Sequence, residues 1–196
     1  MNTTRIVSIA ALIVSIVLAV FLYNSIFDSI DEAERIDKME SKIIDKLMMI
    51  REAQIAYQAV NGQYTSDWDK LLSFVDSGQF YITSKIEHII TLDYGADSVY
   101  VEIDTLGTMP VRDSIFSATK YPRFDLASLP STPVDPNKKF GMWADKIDKS
   151  GVSVDVVEVW NTAPADPNRK ESNEARTKKP LRFGSRTNVT TSGNWE

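Results

Sequence analysis

The feature that most constrains this chain is an uncharged run near its start: between Ile6 and Phe27, IVSIAALIVSIVLAVFLYNSIF, there is no Asp, Glu, Lys or Arg. As a helix rising about 1.5 Å per residue, a segment of this length reaches about 33 Å, close to the thickness of a bilayer's hydrocarbon core. Residues 6–27 therefore read as a transmembrane helix in contact with membrane lipid. The competing reading is a cleavable secretory signal, whose apolar part is usually about 7 to 15 residues long and ends at a small-x-small site. Here the run is longer and passes through Phe21, Leu22 and Tyr23, so a retained anchor is the expectation. Arg5 precedes the run, whereas Asp28, Asp31, Glu32 and Glu34 follow it. Positive charge favours the cytoplasmic side, which places residues 1–5 in the cytoplasm and the remainder outside it.

The 196 residues leave room for a single head domain beyond the anchor. A net charge of −5 supplies no field that would attract nucleic acid. With no cysteine, thiolate metal sites and Cys nucleophiles are excluded.

Residues 28–60 contain neither Gly nor Pro, so the helix is expected to continue out of the membrane. At about 100° per residue, Ile36, Met39, Ile43, Ile44, Leu47 and Ile50 share one face, opposite Asp37, Lys38, Ser41, Asp45 and Glu52. This predicts an amphipathic stalk with Ile36, Met39, Ile43, Leu47 and Ile50 as its interface, packed either on the head or on another chain. The seven-residue recurrence of Ile36, Ile43, Ile50 and Tyr57 keeps a homo-oligomeric coiled coil open. Beyond Arg51, Ala53, Ile55, Ala56, Tyr57, Ala59 and Val60 point in most directions, which predicts that this part is covered on nearly every side. Asn61-Gly62 is a stop signal, and Thr65-Ser66-Asp67 offers caps for a short helix from Trp68 to Phe74.

Residues 61–196 read as an α+β head. Strands are expected over 79–82, 86–92 and 98–103, with a loop or hairpin at 106–110 and a strand or short helix over 111–116. VSVDVVEVW, residues 152–160, alternates and then slips, which suggests a bulge. The economical architecture is one antiparallel sheet over the upper helix. The form P-x-D-P-N-basic-K occurs at 133–139 and again at 164–170, and reads as two type I turns rather than calcium loops. The polar tract 162–180 is expected to be a loop or arm, and Leu181-Arg182-Phe183 to return to the sheet before a flexible tail that ends at 193–196.

Chemistry is sparse. His88 is the sole histidine, and there is no Gly-rich phosphate loop, Gly-x-Ser-x-Gly elbow or His-Glu-x-x-His helix. Acids recur at Asp67 and Asp69, Glu102 and Asp104, and Asp155 and Glu158, a pattern that reads as solvated strand and turn positions. Asn188-Val189-Thr190 matches a glycosylation sequon and is read as coincidence. Tyr57, Tyr64 and Trp68 are the candidate head pocket; together with Phe80 and Tyr81 they offer a sugar-stacking platform, although an aromatic set at a helix-to-sheet junction is more often core. No catalytic residue, metal ligand, cofactor or small-molecule substrate is indicated, and the expectation is a non-enzyme.

An apolar helix running on into AQIAYQAVNGQYTSDWDKLLSF resembles, over residues 6–80, the amino-terminal half of a type IV pilin or type II secretion pseudopilin. The Gly-Phe cleavage site of prepilins, and the Glu that follows it, have no counterpart in MNTTRIVSIAALIV, so no pilin functional residue carries over. What the resemblance implies is an architecture and a place: one long helix packed at its upper end by a small antiparallel sheet, anchored in a bacterial inner membrane with a periplasmic head. The expected function is a single-pass envelope protein whose head and stalk bind a protein partner or further copies in a membrane machine or pilus-like assembly. The alternative is a membrane-tethered ligand-binding or sensory domain.

Overall fold

The computed structural model describes residues 3–91, 97–166 and 180–196. One helix, α1 (Thr3–Asn61), runs for 59 residues, about 88 Å at the usual rise. No glycine or proline interrupts it, and i to i+3 and i to i+4 pairs such as Glu32–Arg35 and Glu34–Lys38 support its exposed middle. It ends where expected: Gly62 takes φ +73°, and its N–H donates to Gln58 O at 2.8 Å.

The turn that follows is pinned to α1 by Gln54, which is fully buried. Its amide nitrogen donates to Thr65 O at 2.7 Å, and its oxygen accepts from Thr65 N–H at 3.2 Å. One side chain thus satisfies both main-chain groups of Thr65. Asp67 then caps α2 (Trp68–Ser77), accepting from Asp69 N–H at 2.9 Å, and Leu71 and Val75 are buried against α1.

The strands form two separate sheets. β1 (Gln79–Thr91) and β2 (Asp97–Pro110) make a long antiparallel ribbon, and β3 (Gly141–Lys149), β4 (Val152–Trp160) and β5 (Arg182–Gly184) make an antiparallel sheet in that order. A short helix, α3 (Val111–Ile115), follows β2. This gives an α+β chain with a long N-terminal helix and small antiparallel sheets.

Several expectations change. The single sheet over the helix is split, because the β1–β2 ribbon projects with its side chains largely exposed and only β3–β5 packs on α1. Residues 79–82 and 86–91 are one strand, and 106–110 continues β2 rather than turning. The bulge lies between Ile82 and Thr83, while β3 and β4 pair without a slip. The apparent slip in VSVDVVEVW arises because Val156, Val157, Glu158 and Val159 are all buried, so apolarity does not alternate there. Ile55, Ala59 and Val60 stay exposed, since sheet and α2 cover one side of the upper helix only.

The core joins three layers. Ile43, Leu47, Ile50 and Ala53 from α1 meet Leu71 and Val75 from α2 and Val157, Val159 and Phe183 from the sheet. Phe116 and Phe124 stack at 4.0 Å between centroids and close one end together with Leu129. The chain's end is held too: Trp195 packs on the core, Gly193 bridges to Phe183, and Glu196 pairs with Arg51 at 2.7 Å. The expected tail is therefore ordered, because residues 193–196 extend the edge beside β5.

Candidate functional site

The stalk stripe divides in two. Ile43, Leu47 and Ile50 have no exposed surface and form the spine of the chain's own core, so they are unavailable to a second chain. Ile36 and Met39, one to two turns nearer the amino terminus, are only partly covered. Any stalk contact with a partner therefore falls to Ile36 and Met39 and to the helix before them.

That earlier part is strongly apolar and open. Val7, Leu18 and Phe21 are exposed at 64%, 61% and 69%. Among the described residues no helix is long and apolar enough to cross a membrane. The span read from the sequence includes Ile6, Asn24 and Ile26, whose side chains lie outside the description.

The three aromatics of the candidate head pocket are not brought together. Tyr57 meets Phe74 edge-on at 5.2 Å and borders a hollow with Asn61, Asp69 and Gly78. Tyr64 lines a separate polar hollow beside Lys146 and Asp155, where burial pushes its hydroxyl pKa up. Trp68 donates from Nε1 to Phe140 O at 3.2 Å and packs on the core. Each ring seals a different seam between α1, α2 and the sheet, which a helical spacing argument could not separate. Phe80 is half-buried and Tyr81 lies on the exposed ribbon.

The structure instead forms a cavity of about 300 Å³ under the loop 120–129. Met49, Tyr121, Phe124 and Leu129 give it apolar walls, with Lys46, Lys120, Arg123 and Asp125 as the charged groups around it. Lys46 donates to the carbonyls of Ser128 at 2.5 Å and Ser131 at 2.9 Å, tying the loop to α1. Burial lowers the Lys46 pKa, opposed by the charge of Asp125. Lys120 is engaged with Glu52 at 2.5 Å, an ion pair that raises the lysine's pKa. The cavity is at the lower end of the usual size for small-molecule sites, about 300 to 1,000 Å³.

Sequence reasoning missed a second cluster, on the sheet face turned away from α1. Glu158, read as a solvated strand acid, is buried and accepts from Arg182 at 3.1 Å and from Arg186 at 2.5 Å. Arg186 also lies 5.4 Å from the Trp143 ring and 5.0 Å from the Trp160 ring. The register explains the grouping: Trp143 pairs with Glu158, and Trp160 with Arg182, so all four point to one face. The usable signal was a Glu on a strand of valines followed at long range by two arginines.

The other acids have structural tasks. Asp67 caps α2, Asp155 lies 3.8 Å from Lys146, and Glu102 receives His88 Nε2 at 2.9 Å while the His88 ring stacks on Tyr100 at 4.7 Å. In the first P-x-D-P-N segment, Asp135 accepts from Asn137 N–H and Lys138 N–H closes on Asp135 O, as a turn requires. The second copy and the arm lie mostly outside the described residues, which omit 167–179. Asn188 and Val189 of the sequon are exposed. No group of His, Asp or Glu able to hold a metal ion occurs among the described residues. Comparison with protein-family models, with curated proteins and with solved structures found no match.

Proposed function

We propose that this chain is a non-enzymatic, single-pass membrane protein whose helix anchors and displays an extracytoplasmic head for binding other components of an envelope assembly, with a pilin-like division into anchor, stalk and head. The observation that carries the reading is the division of labour along α1. One uninterrupted helix is apolar and exposed at its start, charged in its middle, and serves as the core spine of the head at its end. Exposed apolar helix surface of this extent in water is costly, at roughly 25 cal/mol per Å², and a bilayer removes that cost. Arg5 ahead of the run, with no Lys or Arg from 28 to 34 directly after it, supports an outward-facing head.

The test is expression of the full chain in bacterial cells, followed by alkaline extraction of membranes and protease treatment of spheroplasts. Retention in the membrane pellet, with the head digested from outside, is the expected result. Release into the alkaline supernatant would sink the anchor. To find the partner, a single Cys at Met39 serves better than one in the buried stripe, because Met39 is only partly covered whereas Ile43, Leu47 and Ile50 are fully buried. Oxidative cross-links from it to a distinct envelope protein would identify a component of the assembly.

A second reading, a tethered ligand-binding head, is favoured by the apolar cavity bordered by Lys46 and Arg123. Its apolar walls suit a small apolar ligand, and Arg123 is the cation placed to meet a carboxylate on it. Calorimetric titration of the purified chain with medium-chain carboxylates checks it, and no heat of binding at millimolar ligand would remove it.

A further inference from the structure

The β1–β2 ribbon leaves large apolar side chains in water along its length: Tyr81, Ile89 and Ile103 are 70%, 66% and 67% exposed. A two-stranded hairpin is marginal in water, and stability needs a third strand or a supporting helix. Among the described residues neither outer edge of the ribbon has a strand partner. Open edges of this kind are templates for pairing with another chain.

The two edges differ in charge. β1 carries Lys85 and Glu87 on one face, 2.8 Å apart, with His88 next along. β2 carries Asp97, Glu102 and Asp104 and no Lys or Arg. If β1 pairs antiparallel with the β1 of a second copy about Ile86, then Lys85 stands opposite the partner's Glu87 and Glu87 opposite the partner's Lys85. In that register Ile86 meets the partner's Ile86 and Ser84 meets the partner's His88. A β2-to-β2 pairing centred on Ile103 would instead set Glu102 against Asp104, and like charges directly opposite are unfavourable.

We propose that β1 is a self-recognition edge, and that two copies of this chain join through it into a four-stranded sheet ordered β2-β1-β1-β2 across a twofold axis. Such an interface is isologous, so it closes on itself. The acidic β2 strands then form both outer edges and oppose further strand addition, which stops growth at two copies. The interface is separate from the anchor and the stalk, and it does not depend on what the stalk binds.

Because the chain has no cysteine, single substitutions report distances without background. In the full-length protein, in membranes and in detergent, I86C is expected to give a disulfide dimer under mild oxidation, since directly opposed residues have Cβ atoms about 4.5 to 5.5 Å apart. I103C, separated from its mate by three strand spacings, about 14 Å, is expected to stay monomeric. Adding E87K to I86C should lower the cross-linking yield at least tenfold, and adding K85E as well should restore it. Restoration by the double swap separates lost complementarity from lost folding. Monomeric I86C with a reactive thiol, equal cross-linking at residues 86 and 103, or indifference to E87K would each overturn the proposal. A Met39 cysteine that still captures an envelope partner in those cases shows that the ribbon dimer alone has failed and the assembly reading stands.

Discussion

At the scale of single residues, two positions carry more of the head's geometry than their size suggests. Gly184 takes φ +78°, and a Cβ there would sit 1.9 Å from Val157 O, against backbone that cannot move aside. Gly184→Ala is expected to destabilise the head by at least about 2 kcal/mol in urea unfolding, combining left-handed strain with that clash. Glu158 holds Arg182 and Arg186 together, so Glu158→Ala leaves two guanidinium groups without their carboxylate. Because both arginines keep some access to water, the expected loss is about 1 to 3 kcal/mol, accompanied by a change in tryptophan fluorescence as Arg186 leaves the rings of Trp143 and Trp160. At the chain's end, the Arg51 hydrogen bond, with help from the Gly193 N–H, holds the Glu196 carboxyl below its ordinary pKa. A carboxyl lowered in the folded state favours folding above its unfolded value and loses that contribution as pH falls through the lowered one. The clamp should therefore be intact at neutral pH and open in acid, which the NMR signal of the Trp195 indole would follow.

At the scale of elements, α1 is three materials in one helix. Its last third is core: Leu47→Ala, at a fully buried site, should cost about 2 to 5 kcal/mol in denaturant unfolding, whereas Ile36→Ala, half-covered, should cost under about 1 kcal/mol. Equal costs would mean that the stalk below the head is as tightly packed as the core. The helix, its stop and its capped successor were legible because each depends on neighbours in sequence: the absence of Gly and Pro, the Asn61-Gly62 end, the Asp67 cap. The strands were less so. β1 appeared as two pieces because Thr83, Ser84 and Lys85 read as a break, yet they sit in register with Thr105, Asp104 and Ile103. Pairing with β2, not local preference, makes that stretch a strand. The aromatic trio Tyr57, Tyr64 and Trp68 failed as a single pocket for a related reason. The turn pinned by Gln54 sends Tyr64 toward Asp155 while Tyr57 stays beside Phe74.

At the scale of the whole molecule, the open apolar start of α1 makes a quantitative prediction about membrane insertion. An Arg at Leu18, near the middle of the run, should disfavour insertion by about 2.5 to 3.5 kcal/mol and raise the fraction released by alkaline extraction, while Leu18→Val should leave it unchanged. No difference between the two would indicate that the run does not sit in lipid. What the amino-acid sequence determined by itself is what acts along the chain: an uncharged run from Ile6 to Phe27, one continuous helix to Asn61, a mildly acidic body, and the absence of cysteine chemistry. The tertiary structure alone decided that Ile43, Leu47 and Ile50 face the chain's own sheet, that Glu158 is buried between arginines, and that β1 and β2 stand apart from β3–β5. Those outcomes depend on which distant segments meet. Hydrophobic burial is non-directional, so an apolar stripe records that it will be covered but not by what.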